Sequence, residues 1–164
     1  MRLRHASMED LDVLAAIEAA SYPKAEGASR ESLRGRLTHF PHCFWLLEDD
    51  EGQTVAFING MLTHQSHLTD AMYDAPSLHD DAGAWLMIFS VVTRPDCRGR
   101  GYAALLMERV ISDMTAQGRR GIVLTCKERL LPFYTRFGYR SEGLSDSTHG
   151  AASWYQMRLR LDVS

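Results

Sequence analysis

Residues 98–103 read Arg-Gly-Arg-Gly-Tyr-Ala, a spacing that suits anion binding. An apolar, β-branched run, Trp85 to Thr93, precedes them and ends before Pro95. Leu105, Leu106, Met107, Val110, Ile111 and Met114 follow at helical spacing. In a strand, glycine turn and helix taken in that order, the first N–H groups of the helix lack intrahelical partners and point together, and the helix dipole adds partial positive charge. Gly99 and Gly101 let a ligand approach the backbone, Arg98 and Arg100 supply fixed charge, and Arg94 is a further candidate cation. The small Ala103 keeps the next turn open. The pattern is not Gly-x-Gly-x-x-Gly, because the third glycine and the acidic ribose ligand are missing. It is not a Walker loop, because no Gly-Lys-Ser/Thr follows. On spacing alone, an ordinary glycine-containing surface turn with arginines remains the alternative.

Other chemistry-bearing residues are scattered. His64 and His67 follow an apolar run, and His79, Asp80 and Asp81 precede the one that starts at Trp85. Each reads as a surface or loop-stabilising group, with proton transfer as the functional alternative. Asp70, Asp74, Asp80 and Asp81 make the 63–81 connection acidic, which suits steering of a cation. Ser90 has no Ser-His-acid arrangement around it. Cys43, Cys97 and Cys126 form neither a Cys-x-x-Cys pair nor a disulfide framework and read as isolated thiols of a reduced protein. No stretch collects four ligands at metal-binding spacing, so no metal is expected.

These residues need a scaffold. A short strand is expected over Leu3–Ala6, then a helix to about Ala20, introduced by Ser7 and Asp10 at capping-box spacing and broken by Tyr22-Pro23. Ser29 caps a second helix carrying Leu33 and Leu37. Strands are expected over 44–47 and 54–62, joined by an acidic turn ending at Gly52. The connection 63–81 shows no periodicity. Strand 85–93, the helix after Gly101 with its exit at Gly118 and Gly121, strand 122–125, a helix over 130–137 ending at Gly138, and strands 139–142 and 154–161 complete the chain. In the last strand, Tyr155, Met157, Leu159 and Leu161 alternate with Gln156, Arg158, Arg160 and Asp162, predicting a sheet with one covered face. With no linker, repeat or low-complexity block, residues 1–164 read as one mixed α/β domain.

Composition narrows the function. The 164 residues are 45% hydrophobic, enough for a core, and 18 basic residues face 21 acidic ones, which argues against a non-specific nucleic-acid binder. No apolar run approaches the roughly 18 residues that cross a bilayer. Glu9, Asp10 and Asp12 follow Met1–Arg4 where a secretory leader would be apolar, so a cytoplasmic protein is expected.

The segment Val91-Val92-Thr93-Arg94-Pro95-Asp96-Cys97-Arg98-Gly99-Arg100-Gly101-Tyr102-Ala103 resembles the acetyl-CoA signature of the GNAT superfamily of N-acetyltransferases, whose core Arg/Gln-x-x-Gly-x-Gly/Ala is met by Arg98, Gly101 and Ala103. Cys126, Leu130, Pro132, Phe133 and Tyr134 resemble the Cys-x-x-x-Leu-x-Pro-Phe-Tyr arrangement of its arylalkylamine (serotonin-type) branch. Ile17–Tyr22, Val55–Gly60 and Leu78-His79 are similar to the same branch, so the resemblance runs from about Leu3 to Leu159.

The resemblance implies a central, mostly antiparallel sheet with two splayed parallel strands and flanking helices. It implies acetyl-CoA as cosubstrate, held by Val91, Val92 and Thr93 on the strand and by Arg98, Gly99, Arg100, Gly101, Tyr102 and Ala103 at the pyrophosphate. It implies direct acetyl transfer to a small primary amine, arylalkylamines being the narrower reading, with Tyr134 returning a proton to the CoA thiolate. A phenol near pKa 10 can protonate a thiolate whose acid has pKa near 8.5 as charge develops. The branch's two strand histidines would fall at Met87 and Phe89, or at Trp85 and Met87; neither register supplies a histidine. Peptide or protein N-acetylation and a non-catalytic CoA-binding sensor are the alternatives, in a monomer or a homodimer.

Overall fold

The computed structural model describes residues 1–147 and 152–162. Seven strands form one sheet in the order β1-β2-β3-β4-β5-β7-β6: β1 (Arg2–His5), β2 (Phe44–Glu48), β3 (Thr54–Thr63), β4 (Trp85–Thr93), β5 (Gly121–Cys126), β6 (Arg140–Leu144) and β7 (Tyr155–Arg160). Helices α1 (Leu11–Ser21), α2 (Arg30–His39), α3 (Asp70–Asp74), α4 (Tyr102–Ala116) and α5 (Leu131–Thr135) flank it. β4 and β5 pair in parallel, whereas β1–β2, β2–β3, β5–β7 and β6–β7 pair antiparallel. The mixed sheet with flanking helices is the architecture expected from the sequence. Among the described residues, no helix is long and apolar enough to cross a membrane.

The chain divides into two compact units, residues 1–60 with 90–110, and residues 61–89 with 111–164. In the first, Asp10 accepts the N–H of Ser7 (2.8 Å), as the capping spacing predicts, and a single 3-10 turn leads into α1. Arg4 ties β1 to this corner and to β2, reaching Asp10 (2.7 Å) and Glu48 (2.7 Å). Leu11, Leu14 and Ile17 of α1, Leu33 and Leu37 of α2, and Leu106, Met107 and Val110 of α4 are buried, as are Phe44–Leu47 of β2 and Val55–Ile58 of β3. The Ser29 hydroxyl caps α2 by accepting the Ser32 N–H at 3.1 Å.

The second unit departs from expectation in three places. The connection 63–81 holds α3 and a 3-10 turn over Pro76–Leu78, a five-residue helix being too short to show a period. The helix expected over 130–137 is a 3-10 turn, Glu128–Leu130, followed by the single α-turn of α5. Beyond Thr135 the chain tightens, Phe137 donating to the Tyr134 carbonyl (3.0 Å) and Gly138 to that of Thr135 (3.0 Å).

The third departure is β7, which is covered on both faces: Gln156 and Arg158 are buried along with Met157 and Leu159. Most of their polar groups find partners far off in the chain, although Arg158 Nη1 has none among the described residues. Glu142 accepts from Gln156 Nε2 (2.6 Å) and from Arg158 Nε (2.8 Å), and the Ser66 carbonyl accepts from Arg158 Nη2 (2.6 Å). The Arg158 guanidinium lies 4.7 Å from the Trp85 ring centre, a cation–π contact that offsets part of its desolvation.

Trp85 also fixes what can stand beside it. A Cβ at Gly121 would lie 2.7 Å from Trp85 Cζ3 and would collide with the carbonyl oxygen of Leu159. Leu159 is paired across the β5–β7 ladder with the neighbouring Ile122, so the backbone has little room to yield. Gly121→Ala is therefore expected to destabilise the fold by about 2–3 kcal/mol, the scale of overpacking. Urea denaturation should show a lower midpoint with an unchanged slope.

Candidate functional site

In the first unit, β4 leads into the glycine turn. The Arg94 N–H donates to the Val55 carbonyl of β3 (2.8 Å), and Asn59 Nδ2 donates to the Ser90 hydroxyl. Both contacts fit an antiparallel register with Arg94 opposite Val55 and Ser90 opposite Asn59, and in such a register residues 90, 92 and 94 turn their backbone groups toward β3. Val91 turns its N–H and C=O to the opposite edge, where its carbonyl accepts from the Tyr22 hydroxyl at 3.2 Å. Val92 is buried, and Thr93 is half-buried.

Pro95–Cys97 then make a 3-10 turn, and Gly99 and Gly101 both adopt φ of +79°. A Cβ at either glycine would meet nothing within 4 Å, so the requirement is conformational: a side chain resists the left-handed region, whereas glycine does not. Helix α4 starts at Tyr102, and the Leu105 N–H donates to the Gly101 carbonyl at 3.0 Å. The N–H groups of Tyr102, Ala103 and Ala104 precede that bond and are the helix's orphan donors. Arg98 and Arg100 are exposed beside them and form no ion pair among the described residues. Arg94 is different: its guanidinium is engaged by Asp96 (2.7 and 3.1 Å), which holds that carboxyl below the usual range and cancels the extra charge expected from Arg94.

Behind the strand lies a polar group that the periodicity did not flag. Arg36 of α2, 2% exposed, donates to Asn59 Oδ1 at 2.9 Å, and Asn59 donates on to Ser90. The sequence signal was available, since Arg36 shares the apolar helix face with Leu33 and Leu37.

In the second unit, the parallel pairing runs from Trp85↔Gly121 to Ile88↔Leu124. Tyr134, 6% exposed, sits on α5 with edge-on contacts to Phe133 (5.1 Å) and Tyr139 (5.7 Å). Burial pushes the Tyr139 phenol far above its ordinary value, so it stays neutral. Burial likewise pushes the Cys126 thiol up to about 11. A thiol that weakly acidic is a poor nucleophile at neutral pH, which argues against an acetyl-cysteine intermediate.

The candidate bases are occupied elsewhere. His79 Nδ1 accepts the Leu62 N–H (3.1 Å), so the proton resides on Nε2, which donates to Asp81 (2.6 Å). With Asp80 donating its N–H to the Leu62 carbonyl (2.9 Å), His79 closes the loop after β3. His64 pairs with Asp80 at 3.4 Å, both exposed, and His67 lies beside the Ser66 hydroxyl. Asp70 accepts from Ser147, tying α3 to the segment after β6. On β4, Trp85 and Met87 are buried and Phe89 is half-buried, so neither register brings an ionisable side chain.

Residues 11–139 match the acetyltransferase (GNAT) family. The serotonin N-acetyltransferase of Mesocricetus auratus is 28% identical over 113 residues, covering 68% of this chain and 53% of that protein. This chain spans about half the length of the curated relatives it matches. Two solved structures superpose closely. A GphF GNAT-like decarboxylase in complex with isobutyryl-CoA has a TM-score of 0.84 at 23% identity, covering 98% of this chain and 100% of that one. The loading GNATL domain of CurA from Lyngbya majuscula also reaches 0.84, at 18% identity, covering 98% and 97%. At such identities these two establish the fold.

The raised thiol gives a direct test of the local environment. At pH 8 a group of pKa about 11 is ionised in roughly one molecule in a thousand. Iodoacetamide is expected to leave Cys126 unmodified in the folded protein at pH 8 and to label it rapidly in urea, with peptide mass spectrometry reading both states. Equal labelling rates would show that the thiol is not buried.

Proposed function

Because the chain belongs to the acetyltransferase (GNAT) family, we propose that it transfers an acetyl group from acetyl-CoA directly to a small primary amine, arylalkylamines being the narrower reading. The observation that carries the proposal is the turn after β4, with Gly99 and Gly101 at positive φ, exposed Arg98 and Arg100, and the orphan N–H groups that open α4. Those donors suit a pyrophosphate.

Val91 offers its N–H on the edge turned away from β3, in position to polarise a thioester carbonyl as charge develops on its oxygen. The neutral amine attacks the carbonyl carbon, the C–N bond forms, the C–S bond breaks, Tyr134 gives its proton to the departing sulfur, and the proton shed by the acylated nitrogen returns through solvent to the Tyr134 phenolate. With Trp85, Met87 and Phe89 on the strand, the ammonium proton goes to solvent before attack.

A second reading takes its chemistry from the GNAT-like decarboxylase, which shares this fold with a TM-score of 0.84. The same cradle then holds a carboxylated acyl-CoA, whose C–CO2 bond breaks to release carbon dioxide while the α-carbon takes a proton from solvent.

Release of CoA thiol from acetyl-CoA, followed near pH 8 across arylalkylamines, polyamines and lysine peptides, separates small-amine from peptide acetylation. Release of carbon dioxide from malonyl-CoA reports the second reading. Acetyl-CoA binding with silence in both assays would favour a sensor. For the transfer reading, Tyr134→Phe is expected to lower kcat by about a hundredfold, the lower range of general acid catalysis, with acetyl-CoA affinity retained. Wild-type kcat in that variant across pH would remove Tyr134 from the proton step.

A further inference from the structure

The parallel ladder of β4 and β5 ends at Ile88↔Leu124, and the next residues are Phe89 and Thr125. Side chains alternate along a strand, so Trp85, Met87 and Phe89 share one sheet face with Gly121, Val123 and Thr125. Met87 and Val123 are fully buried on that face, whereas Phe89 and Thr125 are half-buried. The cover therefore thins at the first rung beyond the ladder.

Helix α3 places one side chain across that rung. The Tyr73 ring centre lies 4.9 Å from that of Phe89 at a 43° tilt, and its hydroxyl lies 3.3 Å from the Thr125 hydroxyl. One residue thus bridges both strands where their backbone pairing has stopped. The three side chains present two tilted aromatic rings and two neutral hydroxyls.

On the acetyl-transfer reading, Phe89 stands two residues before Val91 in β4, and this is the strand face on which the resemblance places the missing histidines. We infer that Tyr73, with Phe89 and Thr125, forms the subsite that receives the acceptor amine. The rings bind a planar apolar body, and the paired hydroxyls accept an N–H of the uncharged amine. Hydroxyls cannot compensate an ammonium as a carboxylate does, so the subsite favours the form that attacks. The inference rests on the proposed acetyl transfer and adds a residue from α3, a helix without a sequence signal.

Tyr73→Phe keeps the ring and removes the hydroxyl, Tyr73→Ala removes both, and Thr125→Val removes the partner hydroxyl. Phenethylamine and n-butylamine serve as acceptors, with acetyl-CoA Kd measured separately by calorimetry. Tyr73→Ala is expected to raise the phenethylamine KM about tenfold, the scale of one aromatic contact, and to erase the preference over butylamine. Tyr73→Phe and Thr125→Val should keep that preference and raise both KM values about threefold, the scale of a modest hydrogen bond. Acetyl-CoA Kd should stay at the wild-type value in all three. An unchanged acceptor preference in Tyr73→Ala, or losses that track acetyl-CoA Kd, would overturn the inference. If the wild type acetylates no amine, the transfer reading falls, and calorimetry of phenethylamine against CoA-loaded protein decides the subsite alone. Binding lost in Tyr73→Ala supports it; equal or absent binding overturns it.

Discussion

Parallel pairing between β4 and β5 stops at Ile88 and Leu124, although β4 continues to Thr93 and β5 to Cys126. Backbone groups in a fold's interior need partners, so strands can part only if each is held on its outer edge. Both are. Thr125 and Cys126 stay paired with Gln156 and Tyr155 of β7, and Arg94 at the end of β4 donates to Val55 of β3. What remains is the inner edge of β4, where the Val91 carbonyl takes the Tyr22 hydroxyl and its N–H serves the proposed reaction. The glycine turn follows directly, so on the proposed function a single strand would carry both the carbonyl-polarising donor and the entry to the pyrophosphate cradle.

The direction in which Val91 points is a matter of register, and a buried cation guards that register. A slip of one residue would turn Val91 toward β3 and would take Ser90 away from Asn59. Asn59 would lose its acceptor beside the buried Arg36, and an unsatisfied buried polar group costs about 1–3 kcal/mol. An apolar trio would pack as densely and penalise the slip less. The same logic recurs at Arg158, which Glu142, the Ser66 carbonyl and the Trp85 ring hold in β7. In both places the polar network specifies an alignment, whatever its net stability.

That division explains what the sequence disclosed. Strand β4 reads directly as 85–93 because all its residues but Ser90 are apolar or β-branched, and the turn at 98–103 is local chemistry. The Ser7–Asp10 corner and the Ser29 cap are likewise decided within four residues. Burial of Arg158 was invisible because its partner Glu142 lies sixteen residues away and Ser66 ninety-two, so alternation alone predicted a solvent face. Pairing of Arg94 with Asp96 is local, since the two stand two residues apart and their charges oppose. Helix α3 escaped because one turn has no period, and with it went Tyr73, whose position depends on Phe89 and Thr125.

The same elements bear on how an acyl group can move without a strand histidine. Burial drives Cys126 and Tyr139 toward their neutral forms, and Trp85, Met87 and Phe89 offer no charge. Such surroundings would penalise a covalent route through a thiolate, which must first be generated against desolvation. Attack by an uncharged amine on a thioester needs no ionised protein nucleophile. Charge appears only as the tetrahedral oxygen and then the thiolate develop, and a backbone N–H and a phenol are donors that carry no formal charge beforehand. On the proposed function, the exposed Arg98 and Arg100 would meet the pyrophosphate, which would supply their counter-charge. The interior chemistry is left to neutral donors, whose desolvation costs least.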